Sequence, residues 1–426
     1  MIRPASAAHG EGDRPARPNG GGAPPSVLRT ATSPSLRDRE DLSVRDQFPG
    51  VGDWHYLDSA ATAQKPQSVI DAIAQAYGPD YATVHRGVYQ RSSDMTQRYE
   101  AARAAAAKLI GGKVDEVVFT RGATEAINLV ARVLPRQGRN RVLLSQLEHH
   151  SNIVPWQLAG YEVDAVPLTD DGKIDLDAAE RMLTEEHRVV AFAHISNVLG
   201  SVLDAKRAAE IAHSKGALLL LDGCQAVPRL PVDVAELGCD FYAFSGHKLY
   251  GPTGIGCLWG RDLDALPPWQ GGGSMIDRVT FAESTYLDPP ARFEAGTPHI
   301  VGAVGLHAAI AWVEALGMDS IHAHECALVA ETRAALSAIP GVTLYGPEDS
   351  AGIVSFNVDG VHPHDTATIL DDAGVAVRAG HHCAQPLMDW LKVPATARAS
   401  FAAHSDSSDI AALARGISQV KRIFAK

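Results

Sequence analysis

The sequence predicts an α/β protein: a large domain with a mostly parallel sheet covered by helices, then a smaller C-terminal α+β domain. Three observations carry this. From about Gln47 onward, apolar runs of four to six residues alternate with helical patterns, as in strands buried on both faces. Several of these runs end at a polar or small residue, as at Thr120, Asp222 and Ser245, and open α/β sheets bind ligands at such strand ends. Beyond about Gly317 the alternation gives way to longer helices and isolated apolar runs.

The elements follow in order. Val117–Thr120 reads as a strand and Thr124–Leu134 as a helix. Arg141–Ser145 is a strand, Val189–Ala193 another, and Asp204–Lys215 a helix. Ala217–Asp222 and Phe241–Ser245 are strands. A helix over Ile321–Ile339 then precedes a strand at Gly352–Val358, a helix at Thr366–Ala373 and a short strand at Val375–Val377. Residues 1–45 read as a disordered tail, because Arg14 to Pro34 is rich in Pro, Gly, Ser and Ala and poor in aliphatics. A transit peptide is the alternative, set back by the lack of amphipathic periodicity. The expected division is therefore a tail over 1–45, an N-terminal arm and large domain over 46–315 and a small domain over 316–426.

Composition narrows the function. The 426 residues are 46% hydrophobic and carry a net charge of -12. A surface so acidic disfavours nucleic acid and anionic membranes. No apolar run approaches the roughly 18 residues of a membrane span, and no secretory h-region is visible. The five cysteines are widely spaced without a C-x-x-C, which argues against a disulfide framework or a Cys-rich zinc site and points to a reducing cytoplasm.

Chemistry-bearing residues cluster at strand ends. Thr120 to Glu125 joins a strand to a helix through small residues, so backbone N–H groups could approach an anion; a plain Thr-capped turn is the alternative. Asp222 ends a strand of four leucines and is either a cap or a carboxylate facing a crevice. Ser245-Gly246-His247-Lys248 sets one lysine among small and polar groups; burial and nearby cations suit such a lysine to a Schiff base, and a surface turn is the alternative. Arg378-Ala379-Gly380-His381-His382-Cys383-Ala384 places a thiol beside three basic side chains, and positive charge favours the thiolate. Three consecutive residues do not converge easily on one ion, so a metal site at His381, His382 and Cys383 is set aside. His149 follows another strand, where an imidazole could stack on a planar group or simply lie beside a helix cap.

These signals occur in the order used by fold-type I pyridoxal 5'-phosphate (PLP) enzymes. Tyr56-Leu57-Asp58-Ser59-Ala60-Ala61, Val84-His85-Arg86-Gly87, Glu148-His149-His150-Ser151-Asn152, Phe244-Ser245-Gly246-His247-Lys248, Phe293-Glu294-Ala295-Gly296-Thr297-Pro298 and Arg378-x-Gly380-His381-His382-Cys383-Ala384 resemble group II (Suf-type) cysteine desulfurases, within the class V aminotransferase-like enzymes. The resemblance spans about residues 50–425.

It implies that L-cysteine is converted to L-alanine with a persulfide left on Cys383. Lys248 would carry the cofactor and move protons at Cα, Asp222 would pair with the pyridine nitrogen, Gln225 with the ring oxygen, and His149 would stack on the ring. Thr124, Ser245 and His247 would hold the phosphate, with Thr297 reaching in from a second subunit of a homodimer. Asn197 and Arg398 would bind the substrate carboxylate. A sulfur-acceptor protein of the Suf system, SufE-like or SufU-like, would take the sulfur toward iron–sulfur cluster assembly. Selenocysteine lyase activity, or a desulfurase dedicated to a sulfur-containing metabolite, stays open on the same scaffold. After Arg398-Ala399-Ser400 the family usually continues through Tyr-Asn-Thr, whereas this chain reads Phe401-Ala402-Ala403-His404-Ser405-Asp406.

Overall fold

The structure, a computed structural model, describes residues 42–425. Most of the expected tail, residues 1–41, lies outside the described residues. Its last residues belong to the fold: Val44 is buried, and Arg45 pairs with Asp409 at 3.0 Å.

The large sheet has seven strands: β1 (Val117–Thr120), β2 (Arg141–Ser145), β3 (Glu162–Val166), β4 (His187–Ala193), β5 (Leu218–Asp222), β6 (Phe241–Ser245) and β7 (Gly256–Gly260). Their spatial order is β1-β7-β6-β5-β4-β2-β3. The pairs from β6 through to β3 are parallel, and β7 alone runs against its neighbours. Strand β4 is buried along its whole length. Alternate residues serve the two faces, as a period of two demands: Leu219 and Leu221 enter one apolar cluster, and Leu220 enters the other.

Strands β3 and β7 are absent from the sequence reading. β3 is an edge strand in which Glu162 and Ala165 are exposed and only Val166 is buried. β7 is short and bounded by glycines. Three long helices were also not read from the sequence, Gln67–Tyr77, Gln90–Leu109 and Ile300–Leu316. The last is apolar around most of its surface because it packs on both of the others, so it lacks the one-sided stripe that marks a surface helix.

A second, antiparallel sheet holds β8 (Val342–Tyr345), β9 (Ile353–Val358), β10 (Arg378–Gly380) and β11 (Thr396–Ser400), in the order β8-β9-β11-β10. It has its own apolar cluster, in which Val354, Phe356, Ala397 and Ala399 meet Leu328, Val329 and Leu336 of the helix Met318–Ser337 and Ile410, Leu413 and Ile417 of Ser407–Phe424. The N-terminal segment joins this layer. His55 and Tyr56 pair in parallel with Val375 and Ala376, and His55 Nδ1 lies 2.7 Å from Asp409. Among the described residues, no single helix is long and apolar enough to cross a membrane.

Candidate active site

The carboxyl ends of β4, β5 and β6 open onto one cavity of about 170 Å³. Thr124, His149, Asn197, Asp222, Gln225, Ser245, His247, Lys248, Cys383 and Arg398 all line it. Thr297 does not: it is exposed and lines a separate cleft with Arg121, Glu125 and His299.

The anion end is built by a strand–helix turn. Gly122 precedes the helix Ala123–Val133 with φ 153°, and the Ala123 N–H donates to Ser245 Oγ at 2.9 Å. A Cβ on Gly122 would stand 3.1 Å from that oxygen. The first turn of a helix offers N–H groups without intrahelical partners, and Thr124 sits in it. His247 Nδ1 lies 3.2 Å from Thr62 Oγ1, and burial with the nearby Lys248 and Lys65 pulls its imidazole down to about 4. Lys65, which donates to the His247 carbonyl at 3.1 Å, is itself lowered by burial to about 8.

His149 is neutral at neutral pH. Burial first, then the Lys248 cation, lowers it to about 4. Its Nδ1 accepts from the Ser151 N–H at 3.1 Å, which leaves the proton on Nε2. The adjacent Glu148 is fully buried and accepts from Ser145 Oγ, Asn152 Nδ2 and the Ala193 N–H, so it pins this segment between β2 and β4. Burial pushes its carboxyl up to about 7, against the pull of those donors.

Arg398 sits on β11, 2% exposed. Its Nη1 donates to the Asn197 carbonyl at 2.7 Å and its Nη2 to Asp58 Oδ1 at 3.0 Å. Among the described residues its buried Nε has no hydrogen-bond partner. Burial lowers this guanidinium to about 10, which still leaves it charged at pH 7.

Cys383 follows β10 on a tight turn. His382 and Cys383 both hold left-handed backbone, φ 52° and 56°, a conformation non-glycine residues adopt only when surroundings impose it. Three tethers do so. His150 N–H donates to the Cys383 carbonyl at 2.7 Å, Asn197 Nδ2 to the His382 carbonyl at 2.8 Å, and Gln385 N–H to His150 Nε2 at 3.1 Å. His382 Nε2 lies 3.0 Å from Thr396 Oγ1, and its Nδ1 has no partner among the described residues; burial lowers its imidazole to about 3. Among the described residues no cluster of His, Cys, Asp and Glu suits a metal ion.

The donor set fits a planar, phosphorylated aldehyde. A carboxylate, an amine and a neutral imidazole share one cavity with a helix N-terminus, and a buried guanidinium nitrogen is unpaired among the described residues.

The aminotransferase class-V family model matches residues 55–413. The chain belongs to that family. Within it, a probable cysteine desulfurase of Halalkalibacterium halodurans is 48% identical over 89% of this chain and 96% of its own length. A cysteine desulfurase of Dickeya dadantii is 45% identical over 92% and 98%. Among solved structures, the cysteine desulfurase CsdA of Escherichia coli, in an S-sulfonic acid form, superposes with a TM-score of 0.84 at 40% identity, over 89% of this chain and 98% of that one. An apo cysteine desulfurase of Thermococcus onnurineus gives 0.86 at 38% identity over the same shares.

For this family member the structure adds one cavity residue, and one residue behind the cavity, that the motifs did not single out. Cys224 lines the wall with its Sγ 3.5 Å from Ser245 Oγ; its position two residues past the strand-ending Asp222 was the available signal. Asp58, noted only inside a motif, holds Arg398.

Proposed function

We propose that this protein is a PLP-dependent cysteine desulfurase that converts L-cysteine to L-alanine and holds the sulfur as a persulfide on Cys383. One observation carries the reading: a thiol on a tethered left-handed turn shares a single cavity with Lys248 and Asp222.

When bound, PLP supplies the electron sink that weakens the substrate's bonds near Cα. Lys248 would hold it through the side-chain amine and move protons at the substrate Cα. Asp222 would pair with the ring nitrogen, Gln225 with the ring oxygen, and the uncharged His149 would lie against the ring. Thr124, Ser245 and His247 take the phosphate, completed by Thr297 of the partner subunit in a homodimer. Arg398, with Asn197 beside it, takes the substrate carboxylate through a charge-assisted hydrogen bond. The Cys383 thiolate then forms an S–S bond to the substrate sulfur as the substrate's C–S bond breaks, and the carbon gains a proton to leave as alanine.

The sulfur passes to an acceptor protein for iron–sulfur cluster assembly. The five free cysteines suit a reducing cytoplasm. Residues 46–315 comprise an N-terminal arm, which joins the small sheet through His55 and Tyr56, and the large cofactor-binding domain; 316–426 form the small domain that carries the thiol.

The test is an L-cysteine pulse on purified protein. The protein is expected to be yellow, to form alanine, and to carry one added sulfur on the Cys383 peptide by mass spectrometry. Cys383→Ser should keep the colour and release little sulfide. Sulfur found on another cysteine, or near-normal sulfide release by that variant, refutes the assignment.

A further inference from the structure

One bond back from the cavity wall lies a buried ion pair with no part in the chemistry above. Arg229 Nε stands 3.0 Å from Glu325 Oε2, with side chains 3% and 2% exposed. Glu325 belongs to Met318–Ser337, the helix that packs on the four-stranded sheet. Arg229 belongs to the turn that follows Asp222. Its Nη1 donates to Gln225 Oε1 at 2.7 Å and to the Gln225 carbonyl at 3.1 Å, and its Nη2 reaches the Phe401 carbonyl at 3.4 Å. On the other side, Gln225 Nε2 donates to the Ala60 carbonyl at 2.8 Å.

These contacts leave Gln225 one orientation. Guanidinium nitrogens only donate, and a backbone carbonyl only accepts. Turning the amide over would set N–H against N–H at Arg229 and oxygen against oxygen at Ala60. A glutamine without such neighbours can present either end. We propose that Arg229 is a positioning residue: it fixes the Gln225 amide so that a nitrogen donor, never an oxygen, is offered to the cavity, and Glu325 holds Arg229 in place. The proposal rests on the reading of this cavity as the PLP site. A donor there stabilises an anionic ring oxygen, whereas a reversed amide repels it.

The experiment is a pH titration of the absorbance of bound PLP. Arg229→Met alone strands the Glu325 carboxylate in the interior, so the variant used is Arg229→Met/Glu325→Gln, which removes both charges together. Its titration midpoint should rise by about one pH unit, the size of one hydrogen bond to a charged group, and its Kd for PLP should rise by about tenfold. In a Gln225→Ala background the same two changes should move the midpoint little, because Arg229 acts through that amide. A wild type without PLP absorbance removes the underlying cofactor reading. A wild type that titrates, with a double variant whose midpoint stays within about 0.2 unit, overturns the positioning role. An equal shift in the Gln225→Ala background overturns it too.

Discussion

Replacing Arg398 with lysine tests how the substrate is held. The guanidinium spends Nη1 on the Asn197 carbonyl and Nη2 on Asp58, and keeps Nε buried and, among the described residues, unpaired. Lysine retains a positive charge but not the planar fork, so it cannot keep two anchors and still offer an aligned donor. A hydrogen bond to a charged group is worth about 1.5–3 kcal/mol, so the loss of one aligned contact to the substrate carboxylate should raise KM for L-cysteine by about 10- to 150-fold. If that contact is equally strong throughout the reaction, kcat should change by less than about threefold. The assay is steady-state alanine formation over a range of L-cysteine, with the cofactor spectrum and melting temperature as controls for folding. A KM within about twofold of wild type in a folded, yellow variant would refute the carboxylate role.

Three further outcomes are expected. Burial lowers His149, His194, His247, His382 and His404 to between about 3 and 4. Between pH 6.5 and 4 the unfolded chain therefore takes up protons that the folded chain refuses, and stability should fall as pH falls through this window; a urea midpoint that is flat or rising from pH 6.5 to 4.5 contradicts this. Burial raises Cys224 and Cys239 to about 12 and Cys326 to about 11, and Cys257 higher still, so brief iodoacetamide treatment at pH 7.5 should modify Cys383 first, as read by peptide mass spectrometry. Gly122→Ala brings a methyl within 3.1 Å of Ser245 Oγ at a φ of 153°, and should destabilise the fold by roughly 1–3 kcal/mol, the cost of such backbone strain; an unchanged urea midpoint contradicts it.

The sequence announced the strands that run through the middle of the sheet, because β2, β4, β5 and β6 are nearly continuous apolar runs. It concealed β3 and β10, whose exposed positions break that pattern, and the helix Ile300–Leu316, whose apolar residues face several directions. The site was legible wherever a chemical residue ended a strand, as at Asp222, or sat in a compact motif, as at Lys248 and Cys383. The contacts that hold those residues were not legible. Asp58 lies 340 residues from Arg398, and Asn197 lies 185 from His382, and no local pattern encodes a pairing at that separation. The unusual Phe401–Asp406 stretch resolves into packing: Phe401 is buried in the small-sheet cluster, and the His404 ring lies edge-on to Phe48 at 5.1 Å.

The turn that carries Cys383 is moored on both sides of the sulfur, by His150 to its own carbonyl and to Gln385, and by Asn197 to its predecessor. A thiol fixed in this way cannot act as a swinging arm. An S–S bond spans only about 2 Å, so a recipient sulfur must travel nearly the whole distance itself. Under the proposed transfer to an acceptor protein, the burden of mobility falls on the visitor, whose receiving group would have to enter the mouth of the cavity while the donor stays berthed.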